Sequence, residues 1–455
     1  MENLDATIVN TAVPTIATSL GVVPLSLKAV MASYTLSLAV FIPTSGWMAD
    51  RFGTRRVFLI AIAVFLLGSI GCGLATTLPL LVAARIVQGL GGAMMTPVAR
   101  LSLVRTFPRH EMLTAMNYVT IPALMGPLFG PSLGGLIVHF SHWRAIFFVN
   151  VPIALLGLWL ARGHMPDYRE PAVPPLDRIG FVLFGGGVAL LSYLLEVFGE
   201  HTLAPPWIVG LAIGSAALLG AYAVHARRTK DPLLQLRLLE VRTFRTSVLG
   251  GFVTRLGFGG MPFLLPLLYQ IGLGYPAWQA GLLTVPTALA AILTKPIARR
   301  LLERVGYRVV LVGNTILLGA AIATFALVGR GTPVVAILAL SFAQGTFSSL
   351  QFTSINTLVF ADVTDRDASK GSSISSTAQQ MSLSFGVAVA SLVAEVFLAH
   401  VDQHEPTQVI PALHRAFLAM GCLTALSSIV FAALKRDDGD NVSRHRSAAR
   451  AEVDD

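Results

Sequence analysis

The chain has 455 residues, of which 54% are hydrophobic and only 13% are charged, and its mean hydropathy is +0.70. A typical soluble protein carries roughly twice that share of charged residues. This composition excludes a water-soluble globular protein, a disordered chain and a coiled coil. The two cysteines lie inside apolar runs and are too few for a disulfide framework.

Apolar runs recur along the whole chain and predict about fourteen transmembrane helices, because one span needs roughly 20 apolar residues. In chain order, we expect six spans at residues 4–20, 27–49, 57–75, 78–104, 113–140 and 145–160. A central pair follows at 179–198 and 207–224, and six more spans lie at 244–271, 277–298, 309–328, 334–360, 372–398 and 412–434. The runs lack the period-two alternation of a membrane β-barrel. The sequence therefore predicts an all-α polytopic membrane protein.

The basic residues alternate with the spans. Of the 33 Lys and Arg residues, 27 fall in one set of loops and the C-terminal tail, and only 4 fall in the opposite loops. The positive-inside rule places the first set, and with it both termini, in the cytoplasm. The net charge of +9 thus reports membrane topology, and no nucleic-acid partner is predicted.

The first span starts almost at Met1 and carries Glu2 and Asp5 in its opening turn. Residues 4–20 would form only about 25 Å of helix, and the two acids shorten its apolar part further. We therefore expect that the first helix is truncated and that the natural chain begins upstream of Met1.

A weak internal repeat relates the two blocks of six spans. Residues 50–57 read Asp-Arg-Phe-Gly-Thr-Arg-Arg-Val, and residues 303–310 read Glu-Arg-Val-Gly-Tyr-Arg-Val-Val. Duplicated bundles around a midplane site are typical of transporters. We predict an N-terminal six-helix bundle at 1–162, linkers and a central two-helix insertion at 163–243, a C-terminal six-helix bundle at 244–434, and a charged, disordered cytoplasmic tail at 435–455.

The loop after the second span carries the motif Gly46-Trp47-Met48-Ala49-Asp50-Arg51-Phe52-Gly53-Thr54-Arg55-Arg56. There a carboxylate stands beside a base cluster, where it can bond to a neighbouring helix N-terminus. The motif resembles the cytoplasmic loop signature of the major facilitator superfamily, Gly-x-Leu-Ala-Asp-Arg-x-Gly-Arg-Lys, with Arg55 serving where Thr54 departs from the pattern. The resemblance implies a conformational latch that holds the two halves in one state, formed by Gly46, Asp50, Arg51, Gly53 and Arg55.

Four further segments resemble the fourteen-helix drug:proton antiporter branch of that superfamily, the EmrB/QacA type. They lie at 4–14 on the first span, 85–93 on the fourth, 126–135 on the fifth and 142–152 before the sixth. On the fifth span, glycines spaced four apart allow close helix contact, and prolines favour bends. The residues of this antiporter helix are Gly126, Pro127, Gly130, Pro131 and Gly134.

Two charged residues of the first block are predicted to lie inside the membrane, Asp5 on the first span and Arg85 on the fourth. Neither is tolerable alone in lipid, so we expect them to pair. The family resemblance points to the same two positions for proton coupling, and a static salt bridge is the alternative. Other polar groups of the apolar helices are candidates for a substrate cavity, although such groups more often join helices: Asn10, Gln88, Arg255, Gln270 and Gln379.

With the resemblance, these features predict a proton-coupled antiporter that exports drug-like or amphipathic small molecules across a bacterial inner membrane by alternating access. The expected partners are the small-molecule substrate, protons and the lipid bilayer, and family analogy alone adds a periplasmic adaptor. A metabolite exporter or an uptake carrier on the same fold is the alternative. A channel is less favoured, because the duplicated bundles carry no pore-ring motif.

No enzyme activity, catalytic residue, cofactor or metal site is predicted. The spans lack a catalytic dyad, and the sequence lacks the Gly-x4-Gly-Lys pattern of a nucleotide-binding loop. One cluster has the residue types of a metal site, but its place at the outer end of a span is more typical of a solvated loop: His400, Asp402, His404 and Glu405.

Overall fold

The computed structural model describes residues 1–22, 27–108, 111, 115, 118, 126, 130, 133–138, 140–198, 205–364, 367–398 and 406–443. Within these ranges the regular structure is helical, with no strand. Eleven of the described helices are long and apolar enough to cross a membrane, and Arg178–Leu194 is a shorter apolar helix. The prediction of an all-α polytopic membrane protein is therefore confirmed.

The described helices before the central pair follow the predicted spans closely, and two of their interruptions lie at or near a proline. The first span is broken by a 3-10 turn at Val9–Ala12, just before Pro14, and a second 3-10 turn at Ile42–Thr44 contains Pro43. Proline cannot donate a backbone hydrogen bond, so a helix bends or breaks there. These helices are α1 (Glu2–Ile8), α2 (Val13–Leu20), α3 (Lys28–Phe41), α4 (Ser45–Phe52), α5 (Thr54–Leu74), α6 (Leu78–Thr106), α7 (Ala145–Phe148) and α8 (Asn150–His164).

The remaining helices begin with the central pair. The span predicted at 244–271 is interrupted between Phe258 and Met261 and ends in a π-helical turn at Leu267–Gly272. These helices are α9 (Arg178–Phe198), α10 (Pro205–Arg228), α11 (Arg242–Phe258), α12 (Met261–Pro266), α13 (Ala277–Val305), α14 (Tyr307–Thr324), α15 (Val334–Leu358), α16 (Ala368–Leu398), α17 (Pro406–Leu426), α18 (Ser428–Phe431) and α19 (Asp440–Ser443).

The chain divides into two compact units. Unit one comprises residues 1–107, 125–236 and 364–380, and unit two comprises 108–124, 237–363 and 381–455. The central pair α9–α10 belongs to unit one. In unit one, buried apolar side chains gather around Trp143 and Phe147. In unit two they gather around Phe325 and Phe417, whose rings stack 5.6 Å apart. The domain boundaries drawn from the sequence stay a prediction.

Close helix contact in unit one depends on glycine where α5 meets α6. A Cβ on Gly91 of α6 would lie 2.4 Å from the backbone N of Phe65, and a Cβ on Gly68 of α5 would lie 2.5 Å from the backbone N of Gln88. No real Cβ approaches backbone so closely, so both positions require glycine. This contact brings the polar side chains of the two helices within hydrogen-bonding distance.

The start of the predicted disordered tail is folded. Asp438 is only 8% exposed and accepts hydrogen bonds from Arg242 Nε and from the backbone N–H of Lys435, both at 2.8 Å. The expectation of disorder is therefore wrong for residues 435–443, because a partly buried ion pair anchors them to the start of α11. Residues 444–455 lie outside the described part of the chain.

Candidate functional site

The candidate site in unit one is centred on Asp5, on the first turn of α1. Its carboxylate is 0% exposed and forms a salt bridge with Arg85 Nη1 of α6. Gln88 Nε2 and Asn150 Nδ2 each donate to Asp5 Oδ1 at 2.9 Å. Three donors from two other helices, α6 and α8, therefore surround one carboxylate inside the protein.

Arg85 is held from several sides. Its side chain is as buried as that of Asp5, and Nη1 also donates to Gln88 Oε1 at 2.8 Å. The guanidinium carbon lies 4.9 Å from the ring centroid of Tyr34 and 5.3 Å from that of Phe147. Aromatic faces attract a guanidinium electrostatically, so the two rings fix the cation without neutralising it, and Asp5 supplies the opposite charge.

A second layer of hydrogen bonds orients the first. Asn150 Nδ2 lies 3.0 Å from Ser69 Oγ, which donates in turn to the carbonyl oxygen of Phe147 at 2.8 Å. The thiol of Cys72 donates weakly to Gln88 Oε1 at 3.7 Å. Buried polar groups are tolerated only when they are paired. The network therefore links α1, α5, α6 and α8 through one carboxylate.

The chemistry open to this arrangement is proton exchange. An ionised carboxylate only accepts hydrogen bonds, whereas a protonated one must also donate, and each neighbour of Asp5 is a donor. Removing one partner of a buried ion pair is strongly unfavourable, typically by 3–5 kcal/mol. The buried pair is therefore a candidate for the proton-coupling role that the sequence predicts.

The predicted latch loop contains an ion-pair chain. Arg105 Nη2, at the end of α6, donates to Asp50 Oδ1 at 2.9 Å and to Glu170 Oε1 at 3.0 Å. The backbone N–H of Glu170 donates to the carbonyl of Asp50 at 3.0 Å. Asp50 therefore pairs with a base of α6, whereas Arg51 and Arg55 of its own loop are exposed.

Residues 166–170, here called the strap, run alongside this loop. The backbone N–H of Thr54 donates to the carbonyl of Tyr168 at 3.0 Å, and that of Arg55 donates to Asp167 Oδ1 at 3.0 Å. Gly53 has a φ of +94°, and a Cβ there would lie 2.5 Å from Asp167 Oδ1. Glycine at this position is therefore required twice, by the backbone angle and by the strap.

The first turns of α16, which belong to unit one, contact the same loop. The backbone N–H of Gly46 donates to Ser373 Oγ at 3.1 Å, and Ser372 Oγ donates to the carbonyl of Pro97 at 3.3 Å. Arg100 Nη1 donates to Ser376 Oγ at 3.3 Å. Hydroxyl groups thus connect the latch loop to a helix of the second block of spans.

The glycine face of the fifth span is described at three positions, Gly126, Gly130 and Gly134, which are all buried. Thr7 Oγ1 of α1 donates to the carbonyl of Gly126 at 3.3 Å. A Cβ on Gly130 would lie 2.1 Å from Thr7 Oγ1 and 3.3 Å from the backbone N of Ile8. This face therefore packs against the helix that carries Asp5. Pro127 and Pro131 lie outside the described residues.

Asp177, which directly precedes α9, joins the two central helices. Asp177 Oδ1 accepts from the N–H of Gly180 at 2.8 Å and lies 2.9 Å from His225 Nε2, while Oδ2 accepts from the N–H of Leu233 at 3.1 Å. Burial by itself raises the pKa of Asp177, but these hydrogen bonds outweigh it and hold the pKa below its ordinary value.

Comparison with known sequences identifies the family. The sequence profile of the Major Facilitator Superfamily matches residues 1–233 and 247–453. The chain belongs to the major facilitator superfamily. It is also similar to proteins named multidrug resistance protein MdtD. The one from Serratia proteamaculans is 39% identical over 445 residues, covering 97% of this chain and 92% of that protein, and the one from Escherichia fergusonii is 40% identical over 455 residues, covering 98% and 96%.

Family membership makes this chain a multi-pass membrane transporter and not an enzyme. Among solved structures, the human organic anion transporter MFSD10 (TETRAN) superposes with a TM-score of 0.65, covering 94% of this chain and 96% of that one. At 14% sequence identity, this likeness shows the fold alone.

The residues predicted for the substrate cavity divide between the two units. Gln88 is in the Asp5 network, and Arg255 of α11 is 3% exposed, with its guanidinium carbon 5.5 Å from the ring centroid of Phe352. Gln270 is exposed and Gln379 is half-buried. The side chain of Asn10 and the cluster at 400–405 lie outside the described residues, among which no group of three or more His, Cys, Asp and Glu side chains could hold a metal ion.

Sequence reasoning missed Asn150, Ser69, Arg105 and Glu170. Asn150 could have been found, because it is a polar residue between two valines at the start of a span. Ser69 is small and common in membrane helices, so nothing in the sequence separates it from a packing residue. Arg105 and Glu170 sit among many loop charges, and only the fold brings them to Asp50.

Proposed function

We propose that this protein is a proton-driven antiporter that exports drug-like or amphipathic small molecules by alternating access. Membership of the major facilitator superfamily supports a secondary carrier, and the multidrug resistance names of the MdtD relatives support the substrate class. Protons and the exported molecule are then the two partners. The positive-inside distribution of Lys and Arg supports an inner-membrane protein with both termini in the cytoplasm. A periplasmic adaptor rests on family analogy alone.

The observation that carries this proposal is the buried Asp5 carboxylate with its three donors. In the proposed cycle, Asp5 binds a proton in one state and returns it in the other. Protonation weakens the attraction to Arg85 and turns an acceptor oxygen into a donor, so the network favours a different arrangement of α1, α6 and α8. A ligand shifts a conformational equilibrium only if its affinity differs between the two states. The rearranged network gives the proton a different affinity for Asp5 in each state.

The latch loop is proposed to set the balance between the two states. Gly46 and Asp50 contact α16 and α6 through Ser373 and Arg105, and Gly53 accommodates the strap. Arg51 and Arg55 supply local positive charge. Breaking these contacts is the step that would release one state in favour of the other, while the glycine face of the fifth span keeps α1 in register.

The test is Asp5→Asn in purified protein reconstituted into vesicles with an imposed pH gradient. Asparagine keeps the shape but cannot carry a proton, so uphill transport of an amphipathic drug such as ethidium should disappear while downhill movement persists. The matched control is Glu240→Gln, which breaks an exposed pair with Arg237 at 3.7 Å and should transport like the wild type. Retained uphill transport in Asp5→Asn would reduce the pair to a structural salt bridge, and wild-type flux that ignores the gradient would refute proton coupling.

A further inference from the structure

A second buried charge lies in unit two, on a helix that the family signature does not mark. Lys295 belongs to α13 and precedes the end of that helix at Val305 by about 15 Å of helix rise. Sequence patterning groups it with the cytoplasmic loop bases, but its side chain is only 3% exposed. Lys295 is therefore enclosed within a membrane span.

The surroundings of Lys295 are neutral. Its Nζ lies 2.6 Å from Thr353 Oγ1 on α15, and no acidic side chain of the described residues forms a salt bridge with it. One turn earlier on both helices, Ser349 Oγ donates to the carbonyl of Ala291 at 2.8 Å. The seam between α13 and α15 therefore presents hydroxyl groups and one cation, without a compensating carboxylate.

An ammonium group has three donors, and the single hydroxyl of Thr353 can accept only one of them. Arg85 and Arg242 differ in this respect, since Arg85 faces Asp5 and Arg242 faces Asp438. Ionisable residues inside a span are costly and commonly mark a substrate or ion pathway. The positive charge of Lys295 is thus balanced only when an anion binds beside it.

A second cation of unit two, Arg255, contacts α15 at the residue next to Thr353. The guanidinium of Arg255 lies over the ring of Phe352, next to Thr353 in the chain. Two cations therefore reach α15 from two different helices, α11 and α13.

We propose that Lys295 and Thr353 form an anion subsite that receives the carboxylate or sulfonate group of an amphipathic substrate. The ammonium of Lys295 donates to the anion, and the hydroxyl of Thr353 is placed to donate to another of its oxygens. The present closed arrangement holds the ammonium on Thr353, and the substrate anion displaces that contact when the seam opens. This inference rests on the proposed export function and identifies molecules that carry an acid group as one class of its substrates.

The test compares two probes with the same fluorophore, dansylglycine as the anion and dansylcadaverine as the cation. Fluorescence anisotropy measures the binding of each to the full chain in lipid nanodiscs, with empty nanodiscs as the blank. Lys295→Met should weaken dansylglycine binding by about tenfold or more, the loss expected for a charge-assisted hydrogen bond. Lys295→Arg should stay near the wild type, and neither variant should lose dansylcadaverine binding.

The matched control is Arg299→Met, which removes an exposed cation one turn further along α13 and should leave both probes unaffected. If Lys295→Met does not purify as a folded protein, Lys295→Gln replaces it. Unchanged dansylglycine binding in these Lys295 variants, or no dansylglycine binding by the wild type, would overturn the subsite. The measurement uses no pH gradient, so a failure of proton-driven export would refute the proposed function and leave this binding result standing.

Discussion

Replacing Gly130 by alanine tests whether the fifth span positions the helix that carries Asp5. The new Cβ would lie 2.1 Å from Thr7 Oγ1, 3.0 Å from Thr7 Cβ and 3.3 Å from the backbone N of Ile8. Rotating the Thr7 hydroxyl away would sacrifice its bonds to Leu4 O at 3.1 Å and Gly126 O at 3.3 Å, yet the contact with Thr7 Cβ would persist. The two helices must therefore move apart by several tenths of an ångström.

The expected loss of stability is about 1–3 kcal/mol, the usual cost of forcing an extra methyl group into a packed interior. Thermal unfolding of the purified variant should show a lower melting temperature than the wild type. Because Asp5 lies only two residues before Thr7, drug transport driven by a pH gradient should fall as well. Adding Thr7→Ala removes the closest clash, so the double variant should recover part of both losses, which is a non-additive result.

Gly135 is the matched control, since a Cβ there would meet nothing within 4 Å. Alanine is favoured over glycine in a helix interior by up to about 1 kcal/mol, so Gly135→Ala should equal or exceed the wild type in stability. If Gly130→Ala behaves like Gly135→Ala in both assays, the glycine face does not pack against α1 and the reasoning fails.

Two further predictions concern charges outside the Asp5 network. Asp50→Asn should lower transport while expression stays intact, because losing the charge-assisted bond to Arg105 shifts the balance of states by roughly 1–3 kcal/mol; wild-type flux in reconstituted vesicles would contradict this. Burial raises the pKa of Asp438, but Arg242 and the N–H of Lys435 outweigh burial and hold it below the ordinary value. Its stabilisation is therefore full at neutral pH and is lost as pH falls below about 4, so the melting-temperature gap between wild type and Asp438→Asn should close under acid, and a gap independent of pH would refute the assignment.

The sequence was sufficient to predict the membrane class, the span positions and the two charges that meet in unit one. Spans are predictable because each must supply its own run of apolar residues, and backbone hydrogen bonding inside a bilayer leaves the helix as the alternative to a barrel. Asp5 and Arg85 stood out because charge inside a span is costly. Asn150 and Ser69 are uncharged, so their presence in a span is not costly and does not mark them in the sequence. Their role in holding Asp5 became visible only from the positions of α5 and α8.

Lys295 illustrates the opposite failure. The predicted span reaches residue 298, but three arginines follow Lys295 closely, at 299, 300 and 304, so composition groups it with the loop bases. The helix continues beyond that cluster to Val305, and Lys295 contacts Thr353 of α15 while Arg299 and Arg300, further along the helix, are exposed. A helix end near basic residues cannot be located from composition alone, so a buried cation and a surface cation four residues apart look alike in sequence.

The strap makes the stretch after α8 a rigid connection and not a flexible linker. A flexible linker can change length almost freely, because each doubling of its length costs only about 0.6 kcal/mol. In the strap, Asp167 and Tyr168 are matched in register to Arg55 and Thr54, so one inserted residue would misalign both pairs. Reporter tags for the central helices therefore belong beyond residue 170. The sequence of the central helices can therefore vary, whereas the spacing of the five strap residues 166–170 has to stay the same.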